Sequence, residues 1–351
     1  MKIAYFTNHI GQTGVNQVIN DLVKVMTEHG HECRLLYLKD VDKEMLFTCP
    51  VAKLYCSKDL EGYDVIHTHG IWPELYVLKY FWHRWKNRKG ERTILITTLH
   101  CYCFQDFLDL YGKVKGFLLG ILYLLTKIPF DKVVCLSQNM MEYYCGLVLK
   151  KKLTYVYNTR IIDSPIPKLS VDEQREIINF KDDGTLIGMN CVLLYRKGID
   201  VMLKAMPLLP KRYRLFIAGD GKERKAFEQM AFELGVSDRV LFAGMKKDAY
   251  RYLPYYDIYA LPSRSEGFPI SLLEAAAFGS KVAASRLPTV QECFSEEEIA
   301  IFDMPDEKAL AEAIVHAEAN NELGVNLKKV YNDKYSPAQF YKMYMKVYSI
   351  N

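Results

Sequence analysis
The strongest constraint on this chain is an alternation that runs through it twice: short apolar runs of strand length, separated by stretches whose apolar residues recur at helical spacing. Lys2-Ile3-Ala4-Tyr5-Phe6 reads as a buried strand. Val15, Val18, Ile19, Leu22, Val23 and Met26 then line one face of a helix that stops near Gly30, and Cys33 to Leu38 is the next strand. Further strands are expected at Val65 to His67, Thr93 to Thr98 and Lys132 to Leu136. Strand, helix and strand in succession define an α/β fold with a doubly wound parallel sheet, whose ligands gather at the carboxyl ends of the strands. From Val156 to about Asp183 the pattern lapses into Asn158, Asp163, Pro165, Pro167, Ser170 and a run of charges, the expected linker. It then resumes, with strands expected at 185–189, 214–218, 239–243, 258–261 and 281–285. At 351 residues the chain has room for two cores, so two doubly wound domains facing across a cleft are expected.

Half of the residues are hydrophobic and a quarter are charged, the profile of a globular protein. A net charge of only +4 argues against nucleic acid as a partner. The nine cysteines are odd in number and have no repeated C-x-x-C spacing, which speaks against a disulfide framework and a structural zinc site. A reducing cytoplasm is the expected location. Met1 to Phe6 passes directly into a strand pattern without the apolar core of a signal peptide, and no apolar run reaches the roughly 20 residues of a spanning helix.

The stretch from Ser263 to Gly279 is the most informative. A strand end at Ile258 to Leu261 is followed by a tight loop with Gly267, then Pro269 as a first-turn residue and Gly279 at the stop of a helix. The first amides of a helix lack intrahelical acceptors, and the dipole adds roughly half a positive charge, so an anion fits there. Glu266 lies just outside that start and Glu274 about one turn inside it. Amides for phosphate and carboxylates for hydroxyls suit a sugar nucleotide. Taken alone, two glutamates at this spacing are more often an ordinary surface turn, and the surroundings must decide.

In the first half, the loop Thr7 to Gly14 lacks the G-x-G-x-x-G spacing of a dinucleotide site. Its glycines instead allow a ligand or the facing domain to come close. His67, His69 and His100 fall near expected carboxyl ends of strands; one such histidine is commonly packing, while three raise the expectation of chemistry. Residues 75–92 and 114–130 mix apolar and aromatic side chains with bases, including Lys113, Lys115 and Lys127. Such a face suits an anionic membrane surface, and it equally describes sheet-covering helices with a solvated basic rim.

Gly219-Asp220-Gly221, then Asp238-Arg239-Val240-Leu241-Phe242-Ala243-Gly244, and above all Ser263-x-x-Glu266-Gly267-Phe268-Pro269-x-x-x-x-Glu274-Ala275, resemble in this order the family 4 retaining glycosyltransferases of the GT-B fold. The match is close over residues 185–315 and looser over 1–140. The resemblance implies two Rossmann-like domains, an acceptor-binding one at 1–165 and a donor-binding one at 166–335, with a helix at 336–351 crossing back to the first. It implies transfer of a hexose from a nucleoside diphosphate, with UDP favoured, to a glycan or polyprenyl-linked glycan, with retained configuration, as in capsule, O-antigen or exopolysaccharide assembly. The nucleotide sugar is a co-substrate, and no other cofactor and no metal is expected. Glu266 would lie by the donor sugar, Glu274 on ribose hydroxyls, and Lys197, before Gly198, on the diphosphate. Amides from Gly267 and Phe268 through Pro269, Ile270 and Ser271 to Leu272 would meet the diphosphate and sugar. Gly219, Gly221, Gly244 and Met245 would shape the donor pocket, and His100 would sit at the sugar's reacting end. Gly14, His67 and His69 would face the cleft on the acceptor side.

One departure matters. The family carries arginine five residues before that lysine, and this chain has Val192. Leaving-group charge is what the transition state most needs to have stabilised. Either Arg196 or Arg264 substitutes, or the chain is a slow or inactive sugar-nucleotide-binding partner of another transferase. Tyr157-Asn158-Thr159 also replaces the family's P-N-G. An epimerase acting on the sugar nucleotide would need a carboxylate cluster for proton abstraction, and none is evident.

Overall fold
In the computed structural model the described residues are 1–349 apart from 12, 40–46, 81, 83, 84, 163 and 164. They form two compact units, Met1–Thr159 with Ser336–Asn351, and Arg160–Tyr335.

The first unit is a seven-stranded parallel sheet made of β1 (Lys2–Thr7), β2 (Glu32–Tyr37), β3 (Val51–Lys53), β4 (Val65–His69), β5 (Ile94–Thr98), β6 (Lys132–Cys135) and β7 (Leu153–Tyr155), in the order β3-β2-β1-β4-β5-β6-β7. Strands covered on both faces need continuous apolar runs, and Ile3, Ala4, Tyr5 and Phe6 of β1 are all fully buried. Around it lie α1 (Gly14–Glu28), α2 (Ile71–Lys79), α3 (Cys103–Tyr111), α4 (Lys113–Leu125) and α5 (Gln138–Tyr144). Thr13 caps α1 by accepting from the Asn16 amide. Gly14 is thus the first residue of this helix.

The second unit is a six-stranded parallel sheet of β8 (Thr185–Asn190), β9 (Tyr213–Ala218), β10 (Val240–Phe242), β11 (Ile258–Leu261), β12 (Val282–Ser285) and β13 (Ala300–Phe302), in the order β10-β9-β8-β11-β12-β13. Its helices are α6 (Val171–Lys181), α7 (Ile199–Ala205), α8 (Arg224–Glu233), α9 (Ile270–Phe278), α10 (Pro288–Cys293), α11 (Glu307–Ala319) and α12 (Glu322–Val330). The last helix, α13 (Pro337–Tyr348), belongs to the first unit and packs on α1, with the Tyr341 ring stacked 3.6 Å from that of His29.

The charged run expected to be linker contains α6, whose start is closed by a capping box between Ser170 and Glu173. Only Ile177 of this helix is fully buried, so it shows no apolar stripe in sequence. Asp163 and Ser164 of the expected linker lie outside the described residues.

The two aromatic and basic segments differ from expectation at particular residues. Trp85 is buried and donates its indole N–H to the Ser57 carbonyl at 2.7 Å. Lys127, read as a rim base, is buried and paired with the buried Glu74. A long alkylammonium is sealed in only when its charge is met, and here Thr97 and Thr126 complete the carboxylate's bonding. Phe81, His83 and Arg84 lie outside the described residues. On α4, Gly116, Gly120 and Tyr123 face inward, while Val114, Phe117, Leu118 and Leu125 are exposed, continuous in sequence with exposed Leu110, Tyr111 and Ile128. Among the described residues no helix is long and apolar enough to cross a membrane.

Candidate functional site
In the second sheet β8 lies between β9 and β11, so successive connections run outward to β10 on one side and then return to β11 on the other. That reversal opens a crevice at the carboxyl ends of β8 and β11, where ligands of open α/β sheets bind. The loop after β8 ends in a tight turn, Tyr195–Lys197, and the loop after β11 runs to Pro269. The two are stitched together. The Arg264 amide donates to the Arg196 carbonyl at 2.8 Å, the Arg264 guanidinium to the Tyr195 carbonyl at 2.7 Å, and Arg196 Nη1 to the Ser265 carbonyl at 3.1 Å. Gly198 has φ +69°, and a Cβ there would lie 1.7 Å from the Pro262 carbonyl oxygen, so only glycine lets the loops close.

The stitching brings two sequence-predicted residues into contact. Lys197 Nζ donates to Glu266 Oε1 at 2.6 Å, and Ser263 Oγ donates to the same oxygen at 2.6 Å. Burial pushes the Glu266 carboxyl up; the Lys197 charge and hydrogen bond, Ser263 and Arg196 together outweigh it and hold the carboxyl below its ordinary value. Both bonds fall on Oε1, which leaves Oε2 for a ligand. An ammonium has three donors, and Glu266 takes one.

Helix α9 begins one residue later than expected. Pro269 is the cap (φ −77°, ψ 98°) and its carbonyl accepts from the amides of Leu272 and Leu273 at 3.0 and 3.3 Å. The Leu272 amide therefore already has an acceptor and its side chain is buried, and Pro269 has no N–H to offer. Ile270 and Ser271 head the helix, where amides lack an intrahelical acceptor. Phe268 is buried, its ring 6.2 Å from that of Tyr335, and Gly267 is half-buried beside it. Gly279, at φ 72°, closes the helix as expected for that residue.

Glu274 has a partner that sequence reading missed. Arg160 Nε donates to its Oε1 at 2.8 Å, and both side chains are largely buried. Burial pushes the Glu274 carboxyl up and Arg160 draws it back, leaving it above its ordinary value. No motif announces a bond between residues 114 apart.

Gly219 and Gly221 serve the site through packing. A Cβ on Gly219 would lie 1.8 Å from the Cys191 carbonyl oxygen, and one on Gly221 2.5 Å from that of Leu193. The turn thereby seats the loop that carries Arg196 and Lys197. The Gly219 amide donates to the Gly244 carbonyl at 2.8 Å, and the following Met245 is exposed. Of the two candidate substitutes at exposed Val192, Arg264 is committed: it forms a two-pronged pair with buried Asp200, both bonds 2.7 Å, and lies over the Tyr195 ring. Arg196 is exposed, and its charge reaches Glu266.

In the first unit the histidines form a line beneath the ends of β4 and β5. His67, expected to face an acceptor, is fully buried with both ring nitrogens bonded, Nε2 to Thr98 Oγ1 at 2.7 Å and Nδ1 to the Tyr348 hydroxyl at 2.8 Å. It packs as a core residue. His69 is also buried, and its Nδ1 lies 3.0 Å from His100 Nε2. His100 alone of the three reaches the surface. Burial, and then the His100 charge, lowers His67 to about 3; burial, and then the Lys127 charge, lowers His100 to about 4. Burial likewise holds His69 well below its ordinary value. All three are neutral imidazoles at neutral pH.

Two doubly wound parallel sheets, with a carboxylate-bracketed helix start at the switch point of the second, are the architecture of the GT-B fold. Known structures share this fold. Anabaena HepE, solved with UDP and glucose, superposes with a TM-score of 0.81 at 16% identity over 99% of each chain. WaaG, a glycosyltransferase involved in lipopolysaccharide biosynthesis, gives 0.72 at 14% identity over 99% of this chain and 98% of its own. Residues 170–331 match the family described as glycosyl transferases group 1. The O-antigen biosynthesis glycosyltransferase WclY of Escherichia coli is 30% identical over 99% of this chain and 98% of its own. The chain belongs to the group 1 glycosyl transferases, and it is a glycosyltransferase.

Proposed function
We propose that this glycosyltransferase moves a hexose from a nucleoside diphosphate, UDP in preference, to a lipid-linked glycan in surface polysaccharide assembly, with retention and without a metal. The observation that carries the reading is the pair of carboxylates on either side of the α9 start, each anchored through Oε1 by a cation, Lys197 on Glu266 and Arg160 on Glu274. Oε2 of Glu266 then meets the donor sugar and Oε2 of Glu274 the ribose. Phosphate lies against the helix start, with Lys197 and Arg196 as the cations. UDP and glucose bound in HepE, and the O-antigen role named for WclY, support the donor and the pathway class. His100, as a neutral imidazole, donates or accepts a hydrogen bond at the sugar rather than placing a charge there.

The acceptor is brought by the membrane. The α3 and α4 segment exposes a run of apolar side chains and has no acidic residue between Asp109 and Asp131. Exposed Lys113 and Lys115 stand at one end. At the other, Lys152 Nζ donates to the Ile128 carbonyl at 2.7 Å and so holds the Lys150–Lys152 turn there. Apolar insertion flanked by bases is the pattern of an interfacial helix. In flotation with vesicles containing phosphatidylglycerol the protein is expected to rise, and Phe117→Asp to reduce this; no flotation at low salt sinks the membrane role.

The reaction is tested by incubating the protein with labelled UDP-, GDP- and ADP-sugars, together with a thermal-shift panel of the same donors. A ligand at 100 times its Kd stabilises by about 2.7 kcal/mol. Binding with neither transfer nor hydrolysis would replace the enzyme with the regulatory partner that Val192 favours. Loss of turnover in chelator would overturn metal independence.

A further inference from the structure
The donor reading leaves one question at Glu274. A carboxylate buried on a helix has two oxygens and several rotamers, so something must decide which oxygen faces a ligand. Arg160 touches it from outside the helix: Nε donates to Oε1 at 2.8 Å, and Nη1 donates to the Ile161 carbonyl at 2.7 Å. The guanidinium is itself held. Its carbon lies 5.0 Å from the centre of the Tyr250 ring, and the backbone that carries it is fixed separately, the Arg160 carbonyl accepting from the Tyr331 hydroxyl. Arg160 is 4% exposed. A planar fork pinned at several points has little freedom left to lose, so it fixes the carboxylate it binds. Glu274 Oε2 has no hydrogen bond among the described residues, and the side chain is 13% exposed.

We propose that Arg160 is a positioning residue of the donor site, which locks Glu274 through Oε1 so that Oε2 is presented to the ribose hydroxyls. This rests on the placement of Glu274 at the ribose. The motif that identifies the site does not include Arg160, which enters from the segment after Tyr157-Asn158-Thr159, where this chain departs from the family pattern. Among the described residues, Arg160 favours the ionised form of Glu274, Asp248 opposes it, and Tyr259 on β11 is a further titratable neighbour. Burial already pushes the carboxyl up, so without Arg160 it takes a proton more readily.

The test measures Kd for UDP and for 2′,3′-dideoxy-UDP by calorimetry on the full chain, in the wild type, Arg160→Met, Arg160→Lys and Glu274→Gln. Arg160→Met is expected to weaken UDP about 10- to 100-fold, while the dideoxy analogue loses less than threefold. Arg160→Lys, with a single ammonium in place of the fork, is expected to fall between the two and keeps the question open to measurement should Arg160→Met fold poorly. Equal losses for both nucleotides, or none for either, would overturn the positioning role. Should Glu274→Gln leave the preference for UDP over its dideoxy form intact, the ribose placement of Glu274 fails instead, a result the arginine variants cannot mimic. If the thermal-shift panel selects guanosine or adenosine, the matching diphosphate pair replaces the uridine one.

Discussion
Two lysine–glutamate pairs, one in each unit, look alike in composition and differ in purpose. Glu74 and Lys127 are sealed, at 0% and 2% exposure, and every oxygen of the carboxylate is met, by Thr97, Thr126 and the ammonium itself. Lys127 also lies over the Tyr123 ring. Glu266 and Lys197 are 8% and 17% exposed at the head of α9, and both bonds to the glutamate fall on one oxygen. A closed pair can only hold structure. One with a spare oxygen and spare donors, at a helix start on a switch point, can exchange partners with a ligand.

The largest expected effect breaks the sealed pair. Lys127→Ala leaves Glu74 charged and unpaired in the core, and should cost about 3–5 kcal/mol of stability, read by urea unfolding. It should also raise the pKa of His100, since Lys127 is the second cause of its low value. On the proposed reading Lys197→Ala should do the reverse: turnover falls about 100-fold or more, because the leaving-group charge assigned to it grows in the transition state. Its melting temperature should drop far less than in Lys127→Ala, with Glu266 keeping Ser263 and a route to water. If Lys197→Ala unfolds the chain at unchanged specific activity, the two pairs are of one kind and the contrast collapses.

That contrast was half legible in the amino-acid sequence. Lys197 could be placed because glycine follows it and the E-x7-E loop lies downstream, a local pattern with a local geometric cause. Lys127 could not, because a base at the end of an apolar run looks the same whether its head reaches water or turns inward to a glutamate 53 residues away. The same division holds for the fold. Central strands such as β1 and β8 are legible as continuous apolar runs. β3, β7 and β13, each three residues long, lie at sheet edges, where one flank needs no partner and the apolar signal is shortest. Arg160 escaped for the reason Lys127 did: its role is set by a partner distant in sequence.

A smaller effect concerns the histidines beside the sealed pair. The folded values of His67 and His100, about 3 and about 4, lie below the ordinary 6.5. As pH falls below 6.5 the unfolded chain binds protons that the folded one refuses, so stability is lost from there down toward pH 4. Each such histidine contributes at most about 1.4 kcal/mol per pH unit. Glu266, held low, contributes in another window: its stabilisation is present above about 4.5 and is lost as pH falls through its folded value. Unfolding free energy should therefore slope between pH 6.5 and 5, and His67→Gln, which keeps hydrogen-bonding groups without the titration, should flatten the slope. An unchanged slope would mean that the histidines are not held neutral.

The smallest expected effect separates two arginines that the sequence leaves tied. Arg264 is bound to Asp200 by two 2.7 Å bonds, and Asp200 is buried. Removing the guanidinium strands a carboxylate, so Arg264→Ala should lower the melting temperature while any protein that stays folded keeps its turnover. Arg196 is exposed and bonded to one backbone carbonyl at 3.1 Å, so Arg196→Ala should leave stability unchanged. Its charge, screened by solvent, is worth about 1 kcal/mol to a phosphate, so turnover should fall about fivefold. The Arg196→Ala and Lys197→Ala losses should not add if, as proposed, both cations act on one leaving group. If Arg264→Ala instead loses turnover at unchanged stability, then Arg264 is the substitute for the missing arginine at Val192, and its pairing with Asp200 is a resting position from which the donor withdraws it.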